Sequence, residues 1–176
     1  MMRGVDKLAA VDASAPAMCR ALPDLPMAET VMVRLLRISA ASLGQYFEPV
    51  FREIDLSENT FHILCLLMAA PEGRASPSEL SELIGTSRGN MTRLLDELDQ
   101  AGHIRRDTVQ SDGRRFIVTI TNSGRAAALH TAQRLNPALR QAFADLSDEE
   151  MAQLALLLRK AVGSFDKRAV GWALAS

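Results

Sequence analysis

The chain lacks the sequence features of disulfide-linked, exported or membrane-spanning proteins. Its two cysteines, Cys19 and Cys65, are too few for a disulfide framework. It has no apolar run of the roughly 18 uncharged residues that a membrane-spanning helix needs, and its N-terminus has no continuous apolar signal core. The sequence therefore predicts a cytoplasmic protein without a membrane span.

The motifs of enzymes and metal sites are also missing. The chain has no glycine-rich phosphate loop and no Ser/His/Asp set. His62 and Cys65 lie three residues apart, on one face of a predicted helix, but no further Cys or His stands near them in the sequence. We therefore expect neither enzymatic activity nor a bound metal or other cofactor.

Aromatic residues and lysine are scarce. Aromatics make up 5% of the 176 residues while all hydrophobic residues reach 48%, so the core must consist mainly of Leu, Ala, Val, Ile and Met, which favours helices. The net charge is −1, and 17 of the 20 basic residues are arginine. Any surface for nucleic acid must therefore be a local patch. Arginine suits contacts with phosphates and guanine edges, but a general composition bias explains its excess equally well.

Local patterns predict a mainly helical chain. Residues 1–25 are interpreted as an arm that is either flexible or forms a short extra helix. A broad apolar face at helical spacing begins at Ala28, and Pro49 is expected to kink or restart that helix. Ser57 and Ser147 stand where helix N-caps belong, and the helix that begins at Ser147 is apolar enough to form a dimer stalk.

The middle of the chain has the order of a winged helix-turn-helix. A capping box at Ser76–Glu79 begins a short helix that ends at Gly85, and Ser87 caps a second helix. Alternating residues over 104–109 and 115–120, separated by a turn, predict a β-hairpin. Two helices joined by a glycine-containing turn and followed by a hairpin form a helix-turn-helix with a wing. The residues that the short helix is expected to bury are Leu80, Leu83 and Ile84.

These elements together predict a mainly α fold with a small β-hairpin wing. In this fold a winged helix-turn-helix DNA-binding region is embedded in an all-helical region. The predicted parts are an N-terminal arm at 1–25, a helical region at 26–55 and 122–165, the winged helix-turn-helix at 56–121, and a C-terminal tail at 166–176.

The second helix of the motif is the predicted DNA-reading helix. Its first turn, Ser87–Asn90, has no bulky apolar residue, so its backbone N–H groups suit a phosphate. Arg88, Asn90 and Arg93 are expected to reach base edges, with arginine reading guanine and asparagine reading adenine. The far end of this helix carries three acidic residues, which are Asp96, Glu97 and Asp99. The DNA-facing surface is basic only if these residues face away from DNA, as we expect.

The tip of the wing is the second predicted contact. The segment Asp112-Gly113-Arg114-Arg115 places two guanidinium groups at the end of the hairpin, and a narrow minor groove attracts arginine. Asp112 is positioned to hold Arg114 extended through a bidentate pair. The full set of predicted DNA contacts is Ser76, Thr86, Ser87, Arg88, Gly89, Asn90, Thr92, Arg93, Arg106, Asp112, Arg114 and Arg115.

A series of short segments carries a family resemblance. The segments are Glu79–Gly85, Ser87-Arg88, Thr92–Leu98, Ala101–Arg106, the wing pattern Asp112-x-Arg114, and Val118–Arg125. Over Leu56–Arg125 the chain therefore resembles the MarR family, the multiple antibiotic resistance regulators. It departs from the family pattern at Ile120, where leucine is usual, and at Gly113 inside the wing motif. The resemblance is looser over about 31–163 and does not cover 1–25 or 166–176.

The resemblance implies a regulator of transcription. Family members are two-fold dimers in which the first helix and the last two helices of each subunit interlock, which implies that the helical region at 26–55 and 122–165 is an all-helical dimerisation region. They bind pseudo-palindromic operators on double-stranded DNA, usually as repressors. Many release DNA when a small, often aromatic and anionic ligand enters a pocket between the dimer region and the winged helix. The predicted function is thus a sequence-specific repressor released by an aromatic or heteroaromatic acid. Two alternatives stay open: a cysteine-based oxidant sensor of the same fold, and a winged helix used only for protein interaction.

The ligand pocket is predicted from polar residues on otherwise apolar helices. Tyr46 is interpreted as either a core tyrosine or a pocket residue. Cys65 is expected to be a small buried hydrophobic residue if it does not line the pocket. Arg106 is expected to pair with an acid on the ligand or with a phosphate. The candidate ligand contacts are Ser39, Ser42, Gln45, Tyr46, His62, Cys65 and Arg106.

Overall fold

The computed structural model describes the backbone of residues 3–108 and 116–173, and the side chains of residues 3–107 and 116–167. These residues form seven α-helices and three short β-strands. The helices are α1 (Gly4–Ala21), α2 (Met27–Glu53), α3 (Glu58–Ala69), α4 (Pro77–Ile84), α5 (Arg88–Gln100), α6 (Asn122–Ala142) and α7 (Asp148–Ala173). The strands are β1 (Arg74–Ala75), β2 (Ile104–Thr108) and β3 (Phe116–Ile120). The predicted fold class, mainly helical with a small β wing, is confirmed.

The three strands form one antiparallel sheet in the order β1-β3-β2. β2 pairs with β3 so that Ile104 lies opposite Ile120 and Arg106 lies opposite Val118. This pairing is the predicted hairpin. β1 pairs with the other edge of β3, with Ala75 opposite Val118. A two-residue strand has no detectable alternation, so the sequence pattern does not predict it.

The hydrophobic core lies beneath the helix-turn-helix and one face of this sheet. The buried cluster consists of Ile63, Leu64, Leu67, Leu80, Met91, Leu94, Leu95, Leu98, Ile104, Val118, Ile120 and Ala128. The expectation that Leu83 is buried is wrong, because its side chain is 68% exposed. The buried face of α4 runs through Leu80 and Ser81, and Leu83 lies to one side of it.

The N-terminal segment forms a helix, one of the two forms that the sequence predicted, and Pro49 lies within the next helix and does not restart it. The segment forms α1, an 18-residue helix, which packs on α2 through the buried Val11 and a 2.8 Å hydrogen bond from Arg34 Nη1 to Ser14 Oγ. α2 continues through Pro49 without ending. A proline inside a helix costs on the order of 3 kcal/mol. Burial of Phe47 and Phe51, at about 1.5–3 kcal/mol each, offsets that cost.

The chain divides into two compact units, Met1–Leu135 and Asn136–Ser176. The second unit contains the end of α6 and all of α7. Its main feature is α7, which continues to Ala173 and therefore extends beyond the boundary at 165 that the sequence predicted. Among the described side chains of α7, the exposed large apolar residues are Met151, Leu154, Leu156, Leu157, Leu158, Val162 and Phe165. No helix in the described part of the chain is both long and apolar enough to cross a membrane.

Serine residues cap the helices as the sequence predicted. Ser76 Oγ accepts a hydrogen bond from the Glu79 backbone N–H at 3.2 Å, and Glu79 Oε2 accepts one from the Ser76 N–H at 3.0 Å. Ser147 and Glu150 form the same reciprocal pair at the start of α7. At α3 the pair is Ser57 and Thr60, so a hydroxyl takes the place of the usual carboxylate.

The cap at Ser76 gives a first stability prediction. We expect Ser76→Ala to lower the free energy of unfolding by about 1 kcal/mol, because the Glu79 backbone N–H loses the hydroxyl that accepts it. Ser78→Ala, in the exposed first turn of the same helix, is the matched control. Urea unfolding followed by circular dichroism measures both variants, and equal midpoints for the two variants would contradict the prediction. The Ser76 backbone N–H, and then its hydroxyl, lower the pKa of Glu79. The contribution of Glu79 is therefore present above the ordinary glutamate pKa and lost as the pH falls through the lowered value.

Candidate nucleic-acid interface

The turn between α4 and α5 is held by one buried serine. Gly85 adopts a left-handed conformation with φ of +72°, which allows the chain to leave α4 and enter α5 within a few residues. The Ser81 carbonyl accepts hydrogen bonds from the backbone N–H groups of Gly85 and Thr86, both at 3.0 Å. The Ser81 hydroxyl donates to the Thr86 carbonyl at 3.0 Å. Ser81 thus restrains the angle between the two helices, a role that no local sequence pattern indicated.

α5 buries one face and exposes the face with the predicted DNA contacts. Ser87 caps the helix through a 3.3 Å hydrogen bond from the Asn90 backbone N–H to its hydroxyl. Arg88, Gly89, Thr92 and Arg93 are all exposed. The opposite face carries the buried residues Met91, Leu94, Leu95 and Leu98. The helix therefore presents two arginines, a small residue and hydroxyl groups to solvent on one surface.

A chain of polar contacts follows the exposed face of α5. The Asn90 side-chain Nδ2 donates to Thr86 Oγ1 at 2.8 Å. Arg93 donates to Asn90 Oδ1 through Nε at 3.3 Å and through Nη2 at 3.1 Å. Arg93 Nη1 also forms an ion pair with Glu97. The expectation that Glu97 faces away from the DNA-reading surface is therefore wrong, since its carboxylate contacts a predicted base-reading residue.

The other two acids of α5 bind Arg106 on β2. Arg106 Nη2 pairs with Asp96, and its Nε lies 3.4 Å from Asp99 Oδ2, an ionic contact rather than a hydrogen bond. The guanidinium also lies 5.1 Å from the centre of the Phe116 ring on β3. Its side chain is 26% exposed. The structure thus places Arg106 between the recognition helix and the wing, with its charge already paired, and not in a position free for a phosphate or a ligand acid.

The base of the wing carries a second polar cluster on the outer face of the sheet. Asp107 accepts hydrogen bonds from Thr119 Oγ1 at 2.7 Å and from Arg105 Nε at 3.1 Å. The bond from Thr119, and then that from Arg105, lower the pKa of Asp107. Arg74 on β1 lies opposite Thr119 across the sheet. Arg74 and Arg105 are exposed cations at the wing base that the sequence analysis left out. The predicted tip contacts, Asp112, Arg114 and Arg115, lie outside the described residues.

The candidate ligand residues do not converge on one cavity. Ser42 is covered by α1, because a Cβ atom on Gly4 would lie 3.0 Å from its hydroxyl. Tyr46 is 42% exposed and contacts Phe47 edge to face. Cys65 is exposed, so the expectation of a buried hydrophobic residue is wrong. Partial shielding from water nevertheless raises the pKa of its thiol. The other candidates on these helices are exposed too, and they are Ser39, Gln45 and His62.

A different cleft of about 810 Å³ opens where α2 ends, α3 begins and α5 ends. Phe51, Leu56 and Leu98 supply its apolar lining. Its charged lining consists of one guanidinium and four carboxylates, which are Arg52, Glu48, Asp55, Glu58 and Glu97. Arg52 is paired with Glu48, so the cleft has an acidic wall.

Known proteins resemble this chain in sequence and in fold. A family model described as a winged helix DNA-binding domain matches residues 60–139. The transcriptional repressor MprA of Escherichia coli K12 is 28% identical over 144 residues, which cover 82% of each chain. The multiple antibiotic resistance protein MarR of Salmonella typhimurium is 32% identical over 119 residues, which cover 67% of this chain and 78% of MarR. The structure of BpsR from Bordetella bronchiseptica matches with a TM-score of 0.68 at 21% identity, covering 74% of this chain and 98% of BpsR.

These similarities cover both the winged helix and most of the helices around it. The sequence relatives are regulators of transcription and not enzymes. A DNA-binding winged helix is favoured over one that serves protein interaction alone, since the matching domain is a DNA-binding domain and α5 exposes arginines where an interaction surface would carry apolar anchors. The chain therefore belongs to the MarR family of winged-helix, DNA-binding transcription regulators.

Proposed function

We propose that this protein is a repressor that binds a pseudo-palindromic operator and is released from it by a small ligand. The observation that carries the proposal is the exposed face of α5, where Arg88 and Arg93 stand on a helix fixed by a capped and hydrogen-bonded turn. The MprA relative, itself a transcriptional repressor, supports repression over activation.

A homodimer is part of the proposal. Among its described side chains, α7 exposes seven large apolar ones, including Leu156 at 64% and Phe165 at 58%, which is more apolar surface than an isolated soluble helix normally presents. Interlocking with a second copy would bury that surface. A two-fold dimer presents two copies of α5, which would read half-sites about 34–36 Å apart on one side of the duplex.

The acidic cleft is the proposed effector site. BpsR, whose DNA binding is regulated by 6-hydroxynicotinic acid, supports a small heteroaromatic effector. The carboxylates of the cleft outnumber its single guanidinium, however, so repulsion disfavours an anion there. We therefore propose that this cleft takes a neutral or cationic aromatic compound, and not the aromatic acid that the sequence suggested.

Oxidant sensing through Cys65 is disfavoured as a second candidate. The reactive form of a cysteine is the thiolate, and partial burial raises the pKa of the Cys65 thiol, which lowers its thiolate fraction.

A titration of promoter DNA tests the proposed function. We expect binding to weaken steeply between about 50 and 200 mM salt, because phosphate contacts release counterions. Arg88→Ala should weaken binding at least tenfold, the effect of about 1.4 kcal/mol. Arg140→Ala is the matched control, as Arg140 is an exposed arginine of α6 outside the winged helix, and it should leave affinity unchanged. Equal affinity of the Arg88 and Arg140 variants would contradict a reading surface on α5.

The same titration tests the effector class with matched compounds. Nicotinic acid, nicotinamide and 1-methylnicotinamide share one ring, and at neutral pH they are anionic, neutral and cationic, respectively. We expect the neutral or cationic compound to release DNA at lower concentration than the acid. Release by the acid alone would contradict the assignment of the acidic cleft while leaving the repressor itself in place.

A further inference from the structure

Four side chains form a continuous ladder along the DNA-reading face of α5. They are Thr86, Asn90, Arg93 and Glu97, whose spacings of four, three and four residues place them on one side of the helix. Each contacts the next, from the Thr86 hydroxyl through the Asn90 amide and the Arg93 guanidinium to the Glu97 carboxylate. The ladder links the turn before the helix to its third turn.

The ladder leaves Arg93 with a defined pair of unused donors. A guanidinium has five N–H groups, one on Nε and two on each terminal nitrogen. Asn90 Oδ1 takes the N–H of Nε and one of Nη2, and Glu97 takes one of Nη1. Among the contacts of the described residues, one N–H therefore remains on each terminal nitrogen. Two N–H groups on neighbouring nitrogens are what a bidentate contact with guanine O6 and N7 requires.

Asn90 is committed within the ladder. A bidentate contact with adenine needs both the carbonyl oxygen and the amide nitrogen of an asparagine. The Asn90 oxygen accepts from Arg93, and its nitrogen donates to Thr86 at 2.8 Å. Direct reading of adenine by Asn90, which the sequence suggested, would displace Arg93 from the Asn90 oxygen, because both lone pairs of that oxygen already accept from Arg93.

We propose that Asn90 and Glu97 are positioning residues that hold Arg93 as a preformed fork for one guanine in each half-site. The proposal rests on the proposed function, since it assumes a specific operator. Glu97 has no substitute in this role, because Asp96 and Asp99 are both bound to Arg106. Glu97 also places a negative charge beside the DNA, so it opposes binding in general while it favours one base in particular.

Glu97 variants separate these two effects. Glu97→Gln removes the charge but keeps an oxygen that can accept from Arg93, whereas Glu97→Ala removes both. Both variants should bind unrelated duplex DNA about threefold more tightly, the size expected for one charge near phosphates. Glu97→Ala alone should reduce the preference for guanine, by about fivefold, the size of an exposed ion pair with a hydrogen bond. Asn90→Ala should reduce the same preference, and Arg93→Ala should abolish it.

Selection from a pool of random duplexes measures these preferences in the full-length protein. Each selected motif is then checked by competition between a duplex with the guanine and one with each other base. Thermal unfolding of every variant confirms that it is folded. The expected result is one guanine position whose preference weakens in Glu97→Ala and Asn90→Ala and is kept in Glu97→Gln.

Two results would overturn the inference. One is an unchanged guanine preference in Glu97→Ala, and the other is an equal loss of preference in Glu97→Gln, which would assign the effect to charge and not to positioning. If the wild-type protein selects no motif at all, the proposed function fails as well. A failure of the inference alone leaves the wild-type motif in place, so the two failures are distinguishable.

Discussion

Gly124→Ala is expected to lower the free energy of unfolding by about 3 kcal/mol, at the upper end of overpacking costs. A Cβ atom built on Gly124 would lie 2.1 Å from the backbone carbonyl oxygen of His103 and 3.0 Å from Ile120 Cγ1. No carbon and oxygen atoms approach so closely without displacement of the backbone. The start of α6 would have to move away from the end of α5, beneath which the core lies.

The backbone around Gly124 has little freedom to move. The His103 carbonyl that it contacts also accepts the Thr121 backbone N–H at 3.0 Å. The Thr121 hydroxyl donates to the Gly102 carbonyl at 2.7 Å and accepts the Gly124 N–H at 3.0 Å. Moving α6 therefore breaks several hydrogen bonds at once, and the added methyl group cannot be accommodated by a side-chain rotation.

Thermal and urea unfolding measure this effect directly. For a chain of this length, 3 kcal/mol corresponds to a fall of roughly 6–12 °C in Tm. Gly89→Ala is the matched control, because Gly89 lies inside α5 with nothing within 4 Å of its Cβ position. It should stabilise the protein by about 0.5–1 kcal/mol through helix propensity. A Gly124→Ala protein with the wild-type midpoint would show that α6 does not approach His103 as described.

Arg106→Ala is expected to lower the free energy of unfolding by about 2 kcal/mol and to weaken DNA binding at least tenfold. Each ion pair of this partly exposed side chain contributes less than about 1 kcal/mol, since solvent screens it. The contact with the Phe116 ring and the packing of the aliphatic stem stabilise the folded state in addition to the ion pairs. The loss for DNA binding has a separate cause, because Asp96 and Asp99 would then be two uncompensated negative charges on the recognition helix.

Arg105→Ala is the control for this prediction. Arg105 precedes Arg106 on β2, is exposed, and pairs only with Asp107 among the described contacts of its side chain. Its removal should change stability by less than about 0.5 kcal/mol, as for other surface pairs. Equal unfolding midpoints for the two variants would contradict the assignment of Arg106 as the link between the recognition helix and the wing.

Local patterns in the sequence predicted the helices and their caps well. Ser76 with Glu79 and Ser147 with Glu150 form the reciprocal bonds that their spacing indicated. The apolar stripe of α5 is buried as its spacing predicted. Such features depend on residues within one or two turns, so the sequence carries them directly.

Features that depend on distant neighbours were not predictable in the same way. Pro49 stays inside α2 because buried aromatic residues on either side hold that helix in place. In the sequence, Arg106 cannot be distinguished from an arginine that binds a phosphate. In the structure, the turn from α5 into β2 brings Asp96 and Asp99 next to it, and they pair with its charge. The acidic cleft likewise collects side chains from three helices, and those of α5 lie far from the others in the sequence, so no local pattern groups them together.

Sequence-specific binding through α5 is the central claim, and one competition experiment tests it most directly. The wild-type protein and Arg93→Ala are each offered a labelled selected duplex in the presence of an unlabelled scrambled duplex of equal length at physiological salt. We predict that the wild-type protein prefers the selected duplex by at least about 10³-fold, as specific DNA-binding proteins do, and that Arg93→Ala loses most of this preference. Equal affinity of the wild-type protein for the two duplexes, or an unchanged preference in Arg93→Ala, would contradict the account.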